Sequence, residues 1–304
     1  MVELSADGDI RQASTFNKTY AGDAYNTAVA ATRLGSRVSF LSRLGQDPFA
    51  ADLYDTIQRE GVDVTHMRTW PDGFTGLYLA ENLKEGGRDF YYYRKGSAAS
   101  HLSEDDIDVK LIKSSKIVYA TGITMGLSTS ARKAVKKAFQ VARENNVITA
   151  FDPNFREQLW DGSEDAFDAL NEILPLVDVI LPSVPDDTLP VIGLSRPEQV
   201  IDYFAFKDVK VVVVKVGGDG CYLSYKREVQ YIPSLKIQAV DTTGAGDAFN
   251  GGFLHGLATN QSLLDCARLG VTTAGLKVQN PGTIKGLPNR ESVYSRVFAS
   301  PLKA

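Results

Sequence analysis

The most informative segment of the chain is Ala239-Val240-Asp241-Thr242-Thr243-Gly244-Ala245-Gly246-Asp247-Ala248-Phe249-Asn250-Gly251-Gly252. In it an apolar strand end runs into two small hydroxyl residues, then a Gly-x-Gly turn, then an aspartate on the first turn of an apolar helix. The glycines let successive backbone N–H groups point one way, and the helix start adds its own free N–H groups and the positive end of its dipole. This combination predicts an anion hole of the kind that holds a phosphoryl group.

Asp247 lies at the edge of this predicted anion hole, where its carboxylate is placed to take a proton from an attacking hydroxyl. The short Gly-x-Gly-Asp pattern leaves a second interpretation open, because Asp near the start of a helix is an ordinary capping residue. The whole heptad Asp241–Asp247 is a much rarer pattern, and it favours phosphoryl transfer.

The composition is that of an ordinary soluble globular protein, since 304 residues with 43% hydrophobic and 23% charged are enough for a substantial core. The net charge is −4 and no basic stripe occurs, so nucleic acid is not an expected partner. Cys221 and Cys266 form no paired motif, which fits a reducing compartment. The chain opens without a signal-peptide pattern, and its apolar runs are too short to span a bilayer. The sequence therefore predicts a cytoplasmic protein that has no membrane segment.

Short β-branched runs alternate with amphipathic patterns along most of the chain. The predicted strands are Val38–Leu41, Ile117–Ala120, Val147–Phe151, Val179–Leu181 and Val211–Val216. The predicted helices are Asp23–Leu34, Pro48–Glu60, Ser130–Asn145, Glu164–Leu174 and Pro197–Phe204. Alternation of strands and helices is typical of βαβ units, so the predicted fold class is α/β, with a doubly wound, mainly parallel sheet flanked by helices.

Two strand-like segments break this alternation, Gly76–Glu81 and Arg88–Arg94. Glu85-Gly86-Gly87 between them suits a turn, so the pair predicts an antiparallel hairpin inserted in the α/β domain. The polar segment Ser5–Tyr20 is irregular enough to supply further strands. We expect a small antiparallel lid over an active site, drawn from about residues 5–20 and 74–96.

The faces of this hairpin follow from the period of two in a strand. Phe90, Tyr92 and Arg94 fall on one face, and Tyr91 and Tyr93 fall on the other. A lid over a polar substrate needs only one such face, so the outer aromatic face is expected to be covered by a second copy of the chain.

Four motifs together resemble the ribokinase (PfkB) family of sugar kinases. They are the heptad Asp241–Asp247, the segment Tyr20–Gly35, the segment Asp152–Trp160 and the glycine loop Lys215–Gly220. The resemblance runs from about residue 1 to residue 288. The patterns Gly-Asp-x-x-Asn-Thr-Ala-Val and Arg-x-x-Leu-Trp and the aromatic hairpin bring it closest to the branch that phosphorylates 2-keto-3-deoxygluconate. It implies one ribokinase-like kinase domain over residues 1–304, ATP as phosphoryl donor, Mg²⁺ and a homodimer formed through the lid.

The resemblance also implies roles for particular residues. It makes Asp247 the base on the primary hydroxyl, and the N–H groups of Gly244, Ala245 and Gly246 the groups that hold charge on the transferred phosphoryl. The implied substrate-binding residues are Gly22, Asp23, Asn26, Tyr78, Tyr92, Arg94, Asn154, Arg156 and Asp247. The implied nucleotide-binding residues are Asn154, Lys215, Gly217, Gly218, Gly220, Gly244, Gly246 and Asn280. Asp186 is the implied contributor to Mg²⁺ binding, through water.

The implied reaction is ATP-dependent phosphorylation of 2-keto-3-deoxygluconate to its 6-phosphate. This substrate is a sugar acid, and arginine offers a planar fork of donors suited to a carboxylate, so Arg94 and Arg156 form the implied clamp. Simpler interpretations stay open for three features. Asp23 fits an N-cap beside a polar Asn26, Lys215–Gly220 fits a plain hairpin, and the lid arginine fits a solvated surface residue.

Three departures from the family pattern bear on these expectations. The family's opening strand, which ends in Gly-Glu before a segment like Met1–Ser5, is expected here only in part. The family's Asn-x-x-Glu segment appears as Ser183-Val184-Pro185-Asp186, and Gln279–Thr283 stands where the branch usually has Arg-Gly.

Three alternatives remain for the activity. A kinase of a neutral sugar, a fructokinase or ribokinase, is disfavoured by the tyrosine and arginine hairpin. A catalytically inactive regulator that binds sugar or nucleotide is disfavoured by the intact heptad. An oxidoreductase is remote, because no Gly-x-Gly-x-x-Gly follows the first strand.

Overall fold

A six-stranded sheet and a separate four-stranded sheet form the β structure around which the helices pack. The computed structural model describes residues 1–82 and 88–298. Its strands there are β1 (Val2–Asp7), β2 (Asn17–Tyr20), β3 (Ser42–Leu44), β4 (Met67–Thr69), β5 (Leu77–Asn82), β6 (Arg88–Tyr93), β7 (Ile117–Thr121), β8 (Ile148–Asp152), β9 (Val179–Ile180), β10 (Val211–Lys215), β11 (Gly220–Tyr225) and β12 (Glu228–Pro233). Its helices there are α1 (Asp23–Arg33), α2 (Pro48–Arg59), α3 (Val109–Ser114), α4 (Gly122–Gly126), α5 (Thr129–Glu144), α6 (Ser163–Ile173), α7 (Thr188–Ile192), α8 (Pro197–Phe206), α9 (Ala245–Ala258), α10 (Leu263–Val278) and α11 (Arg290–Phe298).

The six-stranded sheet has the order β12-β11-β10-β9-β8-β7. Its strands β7 to β10 are parallel, and β11 and β12 continue it as an antiparallel meander. Side chains of β10 alternate between two cores: Val212 and Val214 pack with α5, α6 and α8, whereas Val211 and Val213 pack with α9 and α10. Helices on both faces explain why the strands are apolar without interruption, and they confirm the predicted α/β class.

Helix α9 lies buried between other helices, which is why it is apolar nearly all round. A Cβ atom on Gly251 would stand 2.4 Å from the Cβ of Ala30 and 2.9 Å from the carbonyl oxygen of Thr27. Glycine at this position therefore lets α1 approach α9 closely. That approach brings the first turns of the two helices, with Asn26 and Asp247, to one place.

The four-stranded sheet, here called the lid sheet, has the order β2-β1-β5-β6. Strands β5 and β6 pair antiparallel, with Tyr78 opposite Tyr92, as the hairpin prediction requires. The expected turn at residues 85–87 lies outside the described residues. The lid sheet contains the expected antiparallel pairs, but β1 runs parallel to β5 and begins at Val2, ahead of the expected range of about residues 5–20.

The prediction of a strand at Val38–Leu41 was also wrong. Only one isolated bridge forms in this segment, between Ser39 and Asp63. The regular strand is β3, three residues further on, which pairs in parallel with β4 as a separate two-stranded sheet. The β-branched pattern indicated extended chain correctly, but an extended segment becomes a strand only where a neighbour continues the hydrogen-bond ladder. Within the described residues, no helix is long and apolar enough to cross a membrane.

Candidate active site

A cavity of about 1910 Å³ separates the lid sheet from the loops at the carboxyl ends of β8 and β10 and from the start of α9. Every residue predicted for the site lines this cavity except Asn280. The side-chain amide of Asn280 donates instead to the carbonyl of Leu276, 3.1 Å away, at the end of α10. Its neighbours Pro281, Gly282 and Thr283 line the cavity in its place.

The predicted anion hole is formed by the turn that leads into α9. Gly244 is the N-cap with a φ of 75°, a left-handed conformation that favours glycine. The N–H of Ala245 donates to the carbonyl of Thr242 at 3.1 Å, so it is not free to bind an anion. The N–H groups of Gly244, Gly246 and Asp247 have no hydrogen-bond acceptor among residues 1–82 and 88–298. The backbone donors that this turn leaves free for an anion are therefore those of Gly244, Gly246 and Asp247, whereas the predicted set was Gly244, Ala245 and Gly246.

The carboxylate of Asp247 lies at the mouth of this hole and is 8% exposed. Its Oδ2 accepts a hydrogen bond of 2.7 Å from Nδ2 of Asn26, whose Oδ1 accepts the N–H of Gly22 at 3.2 Å. Burial and, to a smaller extent, the negative charge of Asp23 raise the pKa of Asp247 to about 7. The hydrogen bond from Asn26 lowers the pKa, but by less than these two effects raise it. A carboxylate with a pKa near neutrality is well matched to the task of a general base.

A buried polar cluster lies beneath the anion hole. Lys215, the last residue of β10, places Nζ 2.7 Å from Oδ2 of Asp152 and 3.3 Å from Oδ1 of Asn250. Nδ2 of Asn250 also donates to Asp152 at 2.6 Å. A Cβ on Gly246 would stand 3.7 Å from the same ammonium, so the charge of Lys215 is close to the hole. The ammonium of Lys215, which is paired with Asp152, therefore lies next to the turn where a phosphoryl group is expected to bind.

The glycine loop Gly217–Gly220 is both a hairpin connection and a wall of the cavity. It joins the antiparallel strands β10 and β11, as the simpler interpretation expected, and Gly217, Gly218 and Gly220 also line the cavity. Gly217 and Gly218 have no heavy atom within 4 Å of a Cβ position, so a flat ligand can approach the backbone there.

The inner face of the lid sheet carries Tyr78, Phe90 and Tyr92, whose rings lie 5.7 to 6.3 Å apart between centroids. The hydroxyl of Tyr78 donates to Glu3 on β1, which also accepts a 2.5 Å hydrogen bond from Nη2 of Arg88. Neither Glu3 nor Arg88 was predicted for the site. Their pairing could not be read from the sequence, because it depends on the parallel register of β1 with β5.

Arg94 and Arg156 differ in their surroundings. Arg94 is largely shielded, and burial lowers its pKa although Asp23 and Tyr92 oppose this. Its Nε is buried and has no hydrogen-bond partner within the described part of the chain. Arg156 is exposed, and its Nη1 donates to the carbonyl of Phe155 at 2.6 Å. The cavity thus contains one buried guanidinium with unused donor capacity, that of Arg94, and one exposed guanidinium, that of Arg156.

Asp187 was not predicted, yet it organises the loop that carries Asn154 and Arg156. Its Oδ1 accepts the N–H of Phe155 at 2.8 Å, and its Oδ2 accepts the N–H of Ser183 at 2.7 Å. Asn154 itself has a φ of 34°, which is unusual for a residue with a side chain. Burial raises the pKa of Asp187 to about 6, helped by the negative charge of Asp152.

The metal prediction rests on Asp186 alone. Asp186 is exposed and lines the cavity. Among the described residues there is no group of three or more His, Cys, Asp or Glu side chains that could hold a metal ion. A Mg²⁺ that entered with a nucleotide would take most of its ligands here from phosphate oxygens and water.

Comparisons with known proteins identify the family of this chain. The family model for "pfkB family carbohydrate kinase" matches residues 1–290. The 2-dehydro-3-deoxygluconokinase of Thermoproteus tenax is 34% identical over 95% of this chain and 89% of its own. The probable fructokinase-5 of Arabidopsis thaliana is 31% identical over 84% of this chain and 79% of its own. A crystal structure of a putative ribokinase II from E. coli in complex with ATP and Mg²⁺ superimposes with a TM-score of 0.89 at 27% identity, covering 98% and 96% of the two chains.

Proposed function

Because this chain belongs to the pfkB family of carbohydrate kinases, we propose that it uses ATP to phosphorylate the primary hydroxyl of 2-keto-3-deoxygluconate, giving the 6-phosphate. The family leaves the sugar open, since relatives of similar identity include both 2-dehydro-3-deoxygluconokinases and probable fructokinases. The choice between them rests on the chemistry of the cavity.

The observation that carries the proposal is the buried guanidinium of Arg94, whose Nε has no hydrogen-bond partner within the described residues. A buried Nε without a partner is costly, so the position is expected to be filled by an acceptor when substrate binds. A carboxylate suits it best, because arginine binds carboxylates with two parallel charge-assisted hydrogen bonds. A neutral sugar has no such group. The exposed Arg156 and the hydroxyl of Tyr92 lie on the same side of the cavity, and Arg156 is close enough to Tyr92 to lower its pKa against the effect of burial.

The proposed reaction places the primary hydroxyl of the sugar acid beside Asp247. The carboxylate accepts the hydroxyl proton while the hydroxyl oxygen forms a bond to the γ-phosphorus, and the bond to the bridging oxygen of ADP breaks. The free N–H groups of Gly244, Gly246 and Asp247 stabilise negative charge on the transferred phosphoryl oxygens. Asn26 holds the carboxylate of Asp247 in place through its 2.7 Å hydrogen bond.

The nucleotide is proposed to lie along Gly217–Gly220 and the segment Pro281–Thr283, with its phosphates between Lys215 and the anion hole. When bound, Mg²⁺ neutralises charge on the phosphate oxygens and orients them, and Asp186 is the residue that would hold it through water. Closure of the lid sheet over the cavity would exclude water from the reacting groups.

A coupled kinase assay across a panel of sugars tests the proposal. With ATP, kcat/KM for 2-keto-3-deoxygluconate should exceed kcat/KM for fructose and ribose by at least roughly 10²-fold, because a neutral sugar leaves Arg94 unpaired. A preference for fructose would show that the substrate assignment is wrong and that the fructokinase relatives are the better guide. An absence of turnover with every sugar, combined with binding of ATP, would favour the inactive regulator.

A further inference from the structure

Lys277 is a buried cation that the proposed reaction does not use. It lies in the last turn of α10, and its side chain is 0% exposed. A buried ammonium is costly unless it is paired and hydrogen-bonded. Its Nζ donates to the backbone carbonyl of Asp241 at 2.8 Å and lies 3.7 Å from Oδ2 of the same residue. Both polar contacts of the Lys277 ammonium are therefore with Asp241, which lies six positions before Asp247.

Asp241 in turn joins two segments of backbone that flank the cavity. Its Oδ1 accepts the N–H of Thr243 at 2.9 Å, and its Oδ2 accepts the N–H of Gly282 at 2.8 Å. The N–H groups of Val240 and Asp241 both donate to the carbonyl of Val278, at 2.7 and 3.1 Å. The ion pair of Lys277 with Asp241 thus joins the loop before the anion hole to the segment that follows α10.

Lys277 lies on a helix that packs closely against α9. Helix α10 packs along α9 through an apolar cluster that includes Phe249, Phe253, Cys266 and Val271. The anion hole is the first turn of α9, so Lys277 and the hole are held by the same pair of helices. A cation fixed on this frame sets the position of the turn Thr242–Gly244 relative to the helix that follows it.

We propose that Lys277 is a positioning residue for phosphoryl transfer. Its ammonium holds Asp241, and through Asp241 the loop whose N–H groups receive the transferred phosphoryl. This inference rests on the proposed function for its kinetic consequence, but its structural consequence, the ordering of Thr243 and Gly282, does not depend on which sugar is the substrate.

The test compares Lys277→Met, Lys277→Ala and wild type. Hydrogen exchange without substrate should show faster exchange of the Thr243 and Gly282 amides in both variants, because their acceptor is no longer held. Turnover should fall at least roughly 10-fold while KM for the sugar changes less than roughly 3-fold, since the loop contacts the phosphoryl group and not the sugar. Arg268→Met on the same helix, which removes only a surface pair with Asp265, should leave both readouts at the wild-type level.

Chemical rescue separates positioning from general stability. Lys277→Ala leaves a cavity that ammonium or methylammonium can fill, so added salt should restore several-fold of the lost turnover and slow the exchange of both amides. Tetramethylammonium is too large for the cavity and should not rescue. Lys277→Met fills the cavity with an apolar chain and should not respond to any of these salts. If Lys277→Met does not fold, Lys277→Leu supplies the same readouts, since it also removes both the charge and the hydrogen-bond donor.

Wild-type exchange at Thr243 and Gly282 in the variants would overturn the inference, as would full turnover by Lys277→Met. A loss of turnover in Lys277→Ala that no small ammonium ion restores would also overturn it, because it would reduce Lys277 to a stabilising residue. If wild type phosphorylates no sugar but the Thr243 and Gly282 amides still exchange faster in the variants, then the proposed function fails. The role of Lys277 in ordering this loop then stands.

Discussion

In the proposed reaction, Asp247 combines two requirements that oppose each other: the reaction needs its negative charge, and its surroundings disfavour that charge. Burial and the nearby Asp23 raise its pKa to about 7, while Asn26 donates the hydrogen bond that keeps the carboxylate oriented. With a pKa near neutral pH, a fraction of the carboxyl groups is ionised, and the ionised form is still basic enough to accept a proton. Three predictions follow from this balance.

Replacing Asp247 by Asn keeps the shape of the side chain but removes its basicity. Turnover should fall by roughly 10² or more, the usual size of the loss of a general base, while the affinity for ATP and for the sugar acid stays nearly unchanged. Steady-state kinetics together with calorimetric binding measure both quantities. A variant that turns over at close to the wild-type rate would show that Asp247 is not the base.

The same variant should be more stable than wild type at neutral pH. The folded-state pKa of Asp247 is raised from 3.8 to about 7, so the native protein favours the protonated form. The contribution of the protonated carboxyl to the free energy of unfolding is fully present below pH 3.8 and is lost as the pH rises through about 7. Above that pH the buried charge can lower the free energy of unfolding by up to about 4 kcal/mol. Thermal melting should therefore show a higher Tm for Asp247→Asn at pH 8 and a similar Tm for both proteins at pH 4.

The pH profile of kcat/KM should carry the signature of this carboxylate. The value should rise with pH up to about 7 and then level off, because only the ionised form accepts a proton. Asp23→Asn removes the charge that raises the pKa after burial, so the midpoint of the profile should move to lower pH. A profile that is flat between pH 5 and 8, or a midpoint unmoved by Asp23→Asn, would contradict the assignment.

The cavity-lining residues that could be predicted from the sequence are those whose side chains suit the proposed chemistry. Asp247, Arg94 and Lys215 were found because their residue types belong to the chemistry and stand in recognisable motifs. Asp187 and Lys277 were missed because they act through backbone groups of other residues, Phe155 and Asp241, and nothing in the sequence connects those positions. The sequence also could not predict which N–H groups of the turn are free, since this depends on one hydrogen bond from the N–H of Ala245 to the carbonyl of Thr242.

At the scale of elements, period-two alternation predicted the two faces of the lid sheet. Tyr78, Phe90 and Tyr92 contact each other on the inner face, and Tyr91 and Tyr93 are exposed on the other, so no bulge shifts the register of β5 with β6. The parallel pairing of β1 could not be predicted, because parallel neighbours are distant in sequence and share no turn. Helix periods gave α1, α2, α5, α6 and α8 within two residues at each end, since each has one apolar face and one polar face.

The strand β6 leads directly into Arg94, and this placement makes a prediction about selectivity. Arg94→Leu should raise KM for 2-keto-3-deoxygluconate by roughly 30-fold or more, about 2 kcal/mol, since it removes one partner of a buried charge pair. KM for any neutral sugar that is turned over should stay within roughly 2-fold. Arg156→Leu should have a smaller effect in the same direction, because Arg156 is exposed.

The neighbouring Lys95 provides the matched control. It is exposed and follows Arg94 directly, so Lys95→Leu removes a positive charge from the same strand end without touching the cavity. Wild-type kinetics for Lys95→Leu together with a large KM effect for Arg94→Leu would identify the carboxylate contact. Equal effects of the two variants would point to a general loss of positive charge instead.

For the whole molecule, the outer face of the lid sheet is the feature that remains unaccounted for in a single chain. Tyr91 is 45% exposed and Tyr93 is 58% exposed, and Leu77 and Leu79 lie opposite them on β5. Soluble proteins seldom leave such an aromatic surface on a sheet uncovered. The inner face of the same sheet closes the cavity, so a partner that covers the outer face would also steady the lid.

We therefore expect a homodimer in which the two lid sheets pack against each other through Tyr91 and Tyr93. Changing both residues to Glu should convert the dimer to a monomer, because two charges per chain would be buried without partners, and it should raise KM for the sugar acid through a looser lid. Phe206→Glu on α8 is the control, since Phe206 is 87% exposed and lies away from the lid sheet. Sedimentation at micromolar concentration should give twice the chain mass of 33.1 kDa for wild type and for the control, and the single-chain mass for the double variant.

A wild-type protein that sediments as a monomer would refute the dimer. The aromatic outer face would then have to tolerate water in the working enzyme, and the double variant should leave KM unchanged.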